Sequence, residues 1–435
     1  MATVRQDSYF EGVRSSEISG VLSFSFSKIL AYVAAMLCFM LLVDAAIAQL
    51  EIAAGRAPVG NALLKIVLLA IVLLGLLIKP GVRAAGLPIV TWLLCIVYLV
   101  VDIPHLISTR GMTFTDVLLS YNTYYMLLLI GPAFIAFRGT ISERFVVRST
   151  LLLFAICAAI GIAQFVSGEP IVATESLDGT VMVHSWNFFG QVRAFSLFTS
   201  AMGFGIFCAL CGALGVALFR RFPKSGGLLV LVSALVCYAT LTRLCYLVFL
   251  CACSYALVLR YGKNPKRGLW YPAIYSLLGV ATVAVGVSSL LAGDSENIQD
   301  SGSLVMRLAQ WGYYADLLSH TPVNDLLFGI GIVQNEKILP LYPMIIDNIF
   351  LGLVLHVGIV GLGLFGTLMV KMWLFLRREA ISTGTAFAIA AASLWATLAC
   401  AGVFNILFST FGAVFALSLL CIFPPSVADV KPTRL

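Results

Sequence analysis

Residues 194–219 have the sequence AFSLFTSAMGFGIFCALCGALGVALF, in which no side chain is charged, and two arginines follow directly. A helix satisfies its own backbone hydrogen bonds in lipid, and about 20 apolar residues suffice to cross the hydrocarbon core. Apolar runs of similar length, ended by charged residues, recur along the whole chain. The pattern therefore predicts an all-α protein whose helices span a membrane.

The composition indicates the same class. Hydrophobic residues make up 61% of the chain and charged residues 11%, with a mean hydropathy of +1.02, which is more apolar than a soluble core requires. Alternating strands of about ten residues, the pattern of an outer-membrane barrel, are absent. We expect a single transmembrane domain over residues 1–435 with about 12 helices, near residues 22–46, 61–78, 87–107, 114–137, 149–167, 194–219, 226–242, 244–259, 270–292, 349–376, 385–403 and 406–423.

The basic residues are distributed unevenly. Most of the 27 lysines and arginines fall at alternate connections between these runs and in the polar N-terminal segment, Met1–Gly20. That segment lacks the short apolar core and small-residue cleavage site of a signal peptide. Because basic residues accumulate in cytoplasmic loops, we expect both termini in the cytoplasm. The two longest loops, 168–192 and 293–344, are then on the outer side.

Both long loops are rich in aromatic and apolar residues, which disfavours disorder, and loops of this length in compact proteins are usually functional. The second loop contains a segment, 304–318, with helical periodicity. Its predicted apolar face is formed by Leu304, Leu308, Trp311, Ala315 and Leu318, and its predicted polar face by Arg307, Gln310 and Tyr314. We expect this amphipathic helix to lie on the bundle with Arg307 facing a polar cleft.

Three arginines stand at the expected outer surface. Arg193 and Arg243 each precede or open a predicted span, and Arg307 lies on the amphipathic helix. An arginine at membrane depth is costly unless it is paired, and a guanidinium group can bind two phosphate oxygens at once. Three such groups meeting at one point would bind a pyrophosphate. The spacing leaves open the alternative that each arginine snorkels to the interface or pairs with an acid.

Asp347 lies at the start of an apolar run, between Ile346 and Asn348. Burial of a carboxylate there is costly without a role, so Asp347 could act as a base for an acceptor hydroxyl. The alternative is a helix N-cap, because aspartate is a favoured capping residue.

The 4 histidines and 11 cysteines show no metal-ligand spacing, and the cysteines suit packing in apolar runs. We expect no metal site.

Four stretches, taken in order, resemble the O-antigen polymerase and ligase superfamily (Wzy/WaaL-like). Arg193 through Phe198 is similar to the family's R-x-x-G-x-F span start, and Thr242-Arg243 is similar to its S-R span. Arg307 with Trp311, followed by the run Leu327-Phe328-Gly329-Ile330-Gly331, resembles its R…W…P-L-F-G-x-G loop.

The fourth stretch is Asp347-Asn348-Ile349-Phe350-Leu351, with two glycines beyond it, which resembles the family's H-N-x-Y-L…G…G helix. The glycines of this helix also predict close packing or a kink near Gly358. The chain departs from the family where Asp347 replaces the histidine common in ligases, and where Ser196 and Asn324 replace glycine and proline. The missing histidine favours a polymerase over a ligase. The resemblance covers roughly residues 190–370.

The resemblance implies a type-C glycosyltransferase-like fold in the bacterial inner membrane, which works without a metal or other cofactor. It implies that the substrates are undecaprenyl-pyrophosphate-linked oligosaccharides on the periplasmic side. Arg193 and Arg307 would hold the donor pyrophosphate, with Arg243 in the same cavity and Asp347 near the acceptor. The remaining residues of the expected substrate site are Gln310, Trp311, Tyr314 and Asn348.

We therefore expect a polysaccharide polymerase, for exopolysaccharide or O-antigen, that transfers a glycan from undecaprenyl pyrophosphate to a lipid-linked repeat unit with inversion. Its expected partners are membrane lipid, a chain-length regulator and a flippase, but no nucleic acid. One alternative is a ligase that attaches the finished glycan to another acceptor. The other is a transporter or flippase for the same glycans, which should carry charges near the bilayer midplane rather than at the outer ends.

Overall fold

The computed structural model confirms the predicted all-α architecture of a polytopic membrane protein. The residues that the structure describes are 26–43, 47, 60–78, 87–110, 113–169, 187–188, 191–198, 200–262, 268–278, 280–281, 311–331, 348–402 and 408–422.

Helices account for nearly all of the described chain. In order they are α1 Phe26–Leu42, α2 Gly60–Ile78, α3 Ile89–Arg110, α4 Phe114–Tyr124, α5 Met126–Ile130, α6 Glu143–Ser167, α7 Ala201–Phe219, α8 Pro223–Ala239, α9 Arg243–Tyr261, α10 271–278, α11 311–319, α12 Val323–Phe328, α13 Ile349–Thr383, α14 Ala386–Ala396, α15 Leu398–Gly402 and α16 Phe408–Cys421. A 3-10 helix, Gly131–Phe137, follows α5, and the short strands β1 Asn187–Phe188 and β2 Gln191–Val192 pair antiparallel.

Within these ranges, five helices are long and apolar enough to cross a membrane: α3, α6, α7, α9 and α13. Shorter apolar helices, among them α1, α8 and α14, complete the bundle. The expected total of about 12 spans stays a prediction.

The predicted span 194–219 starts later than expected, because α7 begins at Ala201. Its N-cap is Ser200, whose Oγ accepts a hydrogen bond from Gly203 N at 3.1 Å. Residues 193–198 are not helical, and Ser196 has a φ of +53°, a left-handed conformation that interrupts an α-helix. The predicted span 114–137 is likewise divided, into α4, α5 and the 3-10 helix.

Helix α7 forms the centre of the bundle, where it packs against α8, α9 and α14. Its glycines lie where neighbouring helices approach closely, since an added methyl group would overlap Cys245 at Gly205 and Phe249 at Gly212. Small residues permit this close packing of membrane helices. The cysteines of α7 are fully buried in this core, as expected of small apolar side chains.

Short connections reverse the chain between α7, α8 and α9 and between α13 and α14, so these helices share two ends. We call one the Arg138 end. There, Arg138 Nη2 lies 3.2 Å from Glu379 Oε1, and both residues are buried. Burial lowers the pKa of the Arg138 guanidinium, and the Glu379 carboxylate opposes that change. At the same end, Arg260 Nη1 donates a hydrogen bond of 3.1 Å to the Gly384 carbonyl oxygen, between α13 and α14.

We call the opposite end the Arg193 end. There, Ala194 N donates a hydrogen bond of 3.0 Å to Ala239 O, the last residue of α8. Ile349, the first residue of α13, packs on Gly402 at the end of α15, and α15 contacts α9. These contacts join the starts of α9 and α13 to the segment that carries Arg193. The five described residues of the predicted site therefore share one end of the bundle: Arg193, Arg243, Trp311, Tyr314 and Asn348.

Candidate functional site

The segment that follows Arg193 is held by Gln164, a fully buried residue of α6. Gln164 Oε1 accepts hydrogen bonds from Phe195 N at 3.2 Å and Ser196 N at 2.7 Å, and its Nε2 donates to Ser196 O at 3.5 Å. The Ser196 hydroxyl donates a further bond of 2.7 Å to Cys157 O. These bonds satisfy backbone groups that have no helical partner. Arg193 is thus attached to a non-helical segment that side-chain bonds hold in place.

Arg193 and Arg243 lie on adjoining segments. The residue after Arg193 bonds to the last residue of α8, and the connection from α8 to α9 spans only residues 240–242. Arg193 is partly buried and interacts electrostatically with Tyr246 in the first turn of α9. Arg243, the first residue of α9, is exposed. The fold therefore brings together the backbone segments that carry two of the three predicted arginines.

Helix α13 is broken at Gly358, which has a φ of 68° and a ψ of −175°. The predicted kink at this position is confirmed. Such a break frees backbone carbonyl oxygens from the helical pattern, and other elements take them up. Leu355 O accepts a hydrogen bond from Ile330 N at 2.7 Å, and Val357 O accepts one from the Tyr98 hydroxyl at 2.6 Å.

Residues 327–331, the end of α12 and the glycine-rich residues after it, lie directly against this break, and we call them loop 327–331. A methyl group on Gly358 would overlap the Leu327 carbonyl, and one on Gly329 would overlap the His356 carbonyl. Gly329 also has a φ of +93°, which other residues rarely adopt. The loop and the helix therefore meet through their backbones. Two of the four stretches on which the family resemblance rests are thus in direct contact.

Helix α11 docks onto the bundle through Tyr314, which has no exposed surface. Tyr314 packs in an apolar cluster with Leu106, Val117, Ile330 and Leu355, which belong to α3, α4, the loop and α13. The predicted faces of the amphipathic segment are wrong here, because Tyr314 was expected on the polar side and Ala315, which is exposed, on the apolar side. The tyrosine ring is large enough to be the main apolar anchor of the helix. A direct role for Tyr314 in substrate binding is not supported.

Asn348 is the N-cap of α13. Its Oδ1 accepts hydrogen bonds from Phe350 N at 2.9 Å and Leu351 N at 3.0 Å. The capping role that Asp347 could have filled is therefore filled by the next residue. The side-chain oxygen of Asn348 is occupied by these bonds, so a substrate contact would have to use the amide nitrogen.

Several predicted features lie outside the described residues: Arg307, Gln310, Asp347, both chain termini, and most of loops 168–192 and 293–344. Trp311, at the start of α11, is partly buried.

Two residues whose hydrogen bonds hold this end together, Gln164 and Tyr98, are not predicted from the sequence. A lone amide in an apolar run is a signal that could have identified Gln164, because burying such a group is costly without partners. We find no comparable signal for Tyr98.

Two arginines of the predicted site are described at this end of the bundle. Arg193 and Arg243 supply two permanent positive charges at the ends of membrane helices. Among the described residues, no group of three or more histidine, cysteine, aspartate or glutamate side chains could hold a metal ion. The chemistry that the two guanidinium groups offer is electrostatic stabilisation of a negatively charged group.

A comparison with protein families adds independent support. Residues 228–366 match the family model described as O-antigen ligase (Wzy_C). No curated protein matches the chain in a sequence comparison. The matched region runs from α8 into α13, and it includes Arg243, the loop 327–331 and the break at Gly358. The match supports the resemblance to the O-antigen polymerase and ligase superfamily, and with it a membrane glycan ligase or polymerase activity.

Proposed function

We propose that this chain, with its O-antigen ligase family region, is a polysaccharide polymerase of the bacterial inner membrane. It transfers a growing glycan from undecaprenyl pyrophosphate to the next lipid-linked repeat unit on the periplasmic side, through a type-C glycosyltransferase-like fold. The observation that carries this proposal is the meeting of the Arg193 segment with the start of α9, where Arg243 lies.

The reaction needs positive charge where the leaving group departs. The acceptor hydroxyl attacks the anomeric carbon, the bond from that carbon to the pyrophosphate oxygen breaks, and the lipid pyrophosphate leaves with the bonding electrons. Fixed cationic groups stabilise the negative charge that develops on it. Arg193 suits this role because the bonds of Gln164 fix the segment beside it. The exposed Arg243 has room to reach the same headgroup.

Arg307 completes the set of arginines in this proposal. It precedes Tyr314 by seven residues, two helical turns, so the predicted periodicity puts both on one stripe of the amphipathic segment. Tyr314 faces the bundle. A helix continued from α11 toward the N-terminus would direct Arg307 to the same side. This relationship supports a bundle-facing guanidinium rather than one that snorkels to lipid headgroups.

Asp347 is the proposed base, which takes the proton of the acceptor hydroxyl as the new glycosidic bond forms. Its support is that Asn348, rather than Asp347, is the N-cap of α13. Attack from the face opposite the leaving pyrophosphate inverts the anomeric carbon. Trp311 and Gln310 are the proposed contacts to the sugars, together with the Asn348 amide nitrogen. The chain-length regulator and flippase are proposed partners.

A ligase is the second candidate, because the matched family is described as O-antigen ligase. A ligase would use the same donor and the same arginines, but its acceptor would be a different molecule. The presence of Asp347, where ligases commonly have histidine, favours the polymerase.

The test is the length distribution of glycans on the carrier lipid in a strain that lacks this protein. A polymerase defect leaves single repeat units accessible outside the cell, a ligase defect leaves long chains on the carrier, and a transport defect traps repeat units inside. Complementation with Arg193→Ala or Asp347→Asn should reproduce the deletion, whereas Arg220→Ala, at the opposite end of α7, should restore long chains. Long chains retained on the carrier in the deletion strain would reject the polymerase.

A further inference from the structure

A second charged site lies at the Arg138 end, far from the residues discussed above. A cavity of about 540 Å³ opens where the start of α6, the connection between α7 and α8, the end of α9, and the connection between α13 and α14 meet. Four arginines from three of these elements line it: Arg144, Arg148, Arg221 and Arg260. Of the described acidic side chains, only that of Glu143 lines it as well.

The charges in this cavity are not balanced by the described part of the chain. Glu143 Oε1 accepts a hydrogen bond of 3.1 Å from Phe387 N, at the start of α14, and so has a structural task. Among the described residues, none of the four arginines forms an ion pair. Arg260 bonds only to a carbonyl oxygen, and its Nε is buried with no hydrogen-bond partner in the described structure. Four guanidinium groups that line one cavity form a site suited to an anion.

At the same end of the bundle, two other arginines have an acidic partner. Arg138 and Arg378 both lie within salt-bridge distance of Glu379 Oε1, at 3.2 Å and 3.4 Å. A general excess of basic residues at this end would leave arginines scattered on the surface. Here they converge from separate elements on one cavity, which favours a bound ligand.

The surroundings of the cavity are those of a lipid-facing surface. On α6, Arg144 and Arg148 are followed at the same four-residue spacing by Leu152 and Ile156, which are 66% and 47% exposed. Residues four apart share one face of a helix, so a charged patch continues directly into an apolar stripe. Phe222, beside Arg221, is 52% exposed. Basic pockets between membrane helices are suited to the headgroups of anionic lipids.

We propose that this cavity binds the phosphate of an anionic phospholipid headgroup, with the acyl chains along Leu152 and Ile156. The site is independent of the proposed transferase reaction, because it lies at the opposite end of the bundle. The chemical group that the cavity recognises is a phosphate, because a guanidinium group can bind two of its oxygens. The lipid is the favoured source because of the apolar stripe that continues from the arginines.

The test uses the full chain, purified, delipidated and placed in nanodiscs of phosphatidylcholine with increasing phosphatidylglycerol. Bound lipid is counted by native mass spectrometry after release into detergent. The variant R144Q/R148Q/R221Q removes three cavity arginines and leaves Arg260, which bonds to the backbone. The matched control is R220Q, because Arg220 is exposed and adjacent to Arg221 but does not line the cavity. Thermal unfolding of each variant checks that it is folded.

The wild type should retain phosphatidylglycerol in preference to phosphatidylcholine. Affinity should fall about five-fold for each arginine removed, while the R220Q control stays near the wild-type value. Equal retention of the two lipids by the wild type, or undiminished phosphatidylglycerol binding by the triple variant, would overturn the proposal. If the triple variant does not fold, R144Q and R148Q singly give the same decision, since both side chains are exposed.

A separate arm distinguishes a lipid from a soluble anion. Inorganic phosphate is added to the wild type in nanodiscs of phosphatidylcholine alone, and the unfolding temperature is measured. The lipid assignment predicts stabilisation by phosphatidylglycerol that exceeds the effect of phosphate. Stabilisation by phosphate without any preference for phosphatidylglycerol would overturn the lipid assignment.

Discussion

Gly358 lies so close to Leu327 that a single methyl group on the glycine would overlap the leucine carbonyl. The first residue breaks a membrane helix, and the second begins the loop that packs on it. The Tyr98 hydroxyl connects the helix and the loop, because it donates to Val357 O at 2.6 Å and lies 3.3 Å from Phe328 O. The position of the loop is therefore set by the break in the helix.

Gly358→Ala should destabilise the protein by at least about 3 kcal/mol, because alanine disfavours the left-handed φ and its methyl group has no space. Gly363→Ala is the matched control, since this glycine lies in the same helix with nothing within 4 Å of an added methyl group. That control should be neutral or gain up to about 1 kcal/mol of helix propensity. Thermal unfolding in detergent measures both, and equal unfolding temperatures for the two variants would contradict the packing described.

Gln164→Leu should cost roughly 2–5 kcal/mol, because it leaves the buried backbone N–H groups of Phe195 and Ser196 without their acceptor. It should also reduce glycan transfer, since the segment that carries Arg193 loses its anchor. Ser167→Ala, in the same helix at an exposed position, is the control and should change neither property. Stability is measured by thermal unfolding and transfer by glycan length. Wild-type stability in Gln164→Leu would show that this segment is held by other contacts.

Tyr314→Ala should release α11 from the bundle, at a cost of about 3 kcal/mol for loss of a large buried ring. Tyr313→Ala is the control, because the neighbouring ring is 40% exposed. Limited proteolysis within residues 311–331 reports the release. Cleavage should accelerate in the Tyr314 variant and remain near the wild-type rate in the Tyr313 variant. Equal cleavage rates would mean that Tyr314 does not anchor this helix.

Arg193→Lys tests whether the forked geometry of the guanidinium matters as well as its charge. Lysine keeps the charge but cannot bind two phosphate oxygens in parallel, so we expect transfer to fall about 100-fold. Arg220→Lys serves as the control, with wild-type transfer expected. The measurement is the rate of chain extension on purified lipid-linked repeat units. Full activity in Arg193→Lys would remove the bidentate contact from the proposed mechanism.

Much of the fold followed from local features of the sequence. Uninterrupted apolar runs predicted the helices of the bundle, and the glycines around Gly358 predicted the break in α13. These signals are local because lipid forces a helix to satisfy its own backbone, and because only glycine tolerates that conformation.

The errors arose where distant residues determine the local structure. The start of α7 was misplaced because Gln164, 32 residues before Ser196 in the chain, replaces the helical hydrogen bonds of that segment. Periodicity puts Tyr314 on the polar face of α11, whereas residues of four separate elements form an apolar cluster around it. Periodicity within one segment carries no information about such contacts.

The contact between loop 327–331 and the kink is made largely by main-chain atoms. The exposed side chains of Leu327 and Phe328 could therefore vary between relatives while the loop kept its position on the membrane helix. A surface of this kind can change its exposed side chains by point substitution without refolding, provided that the glycines persist.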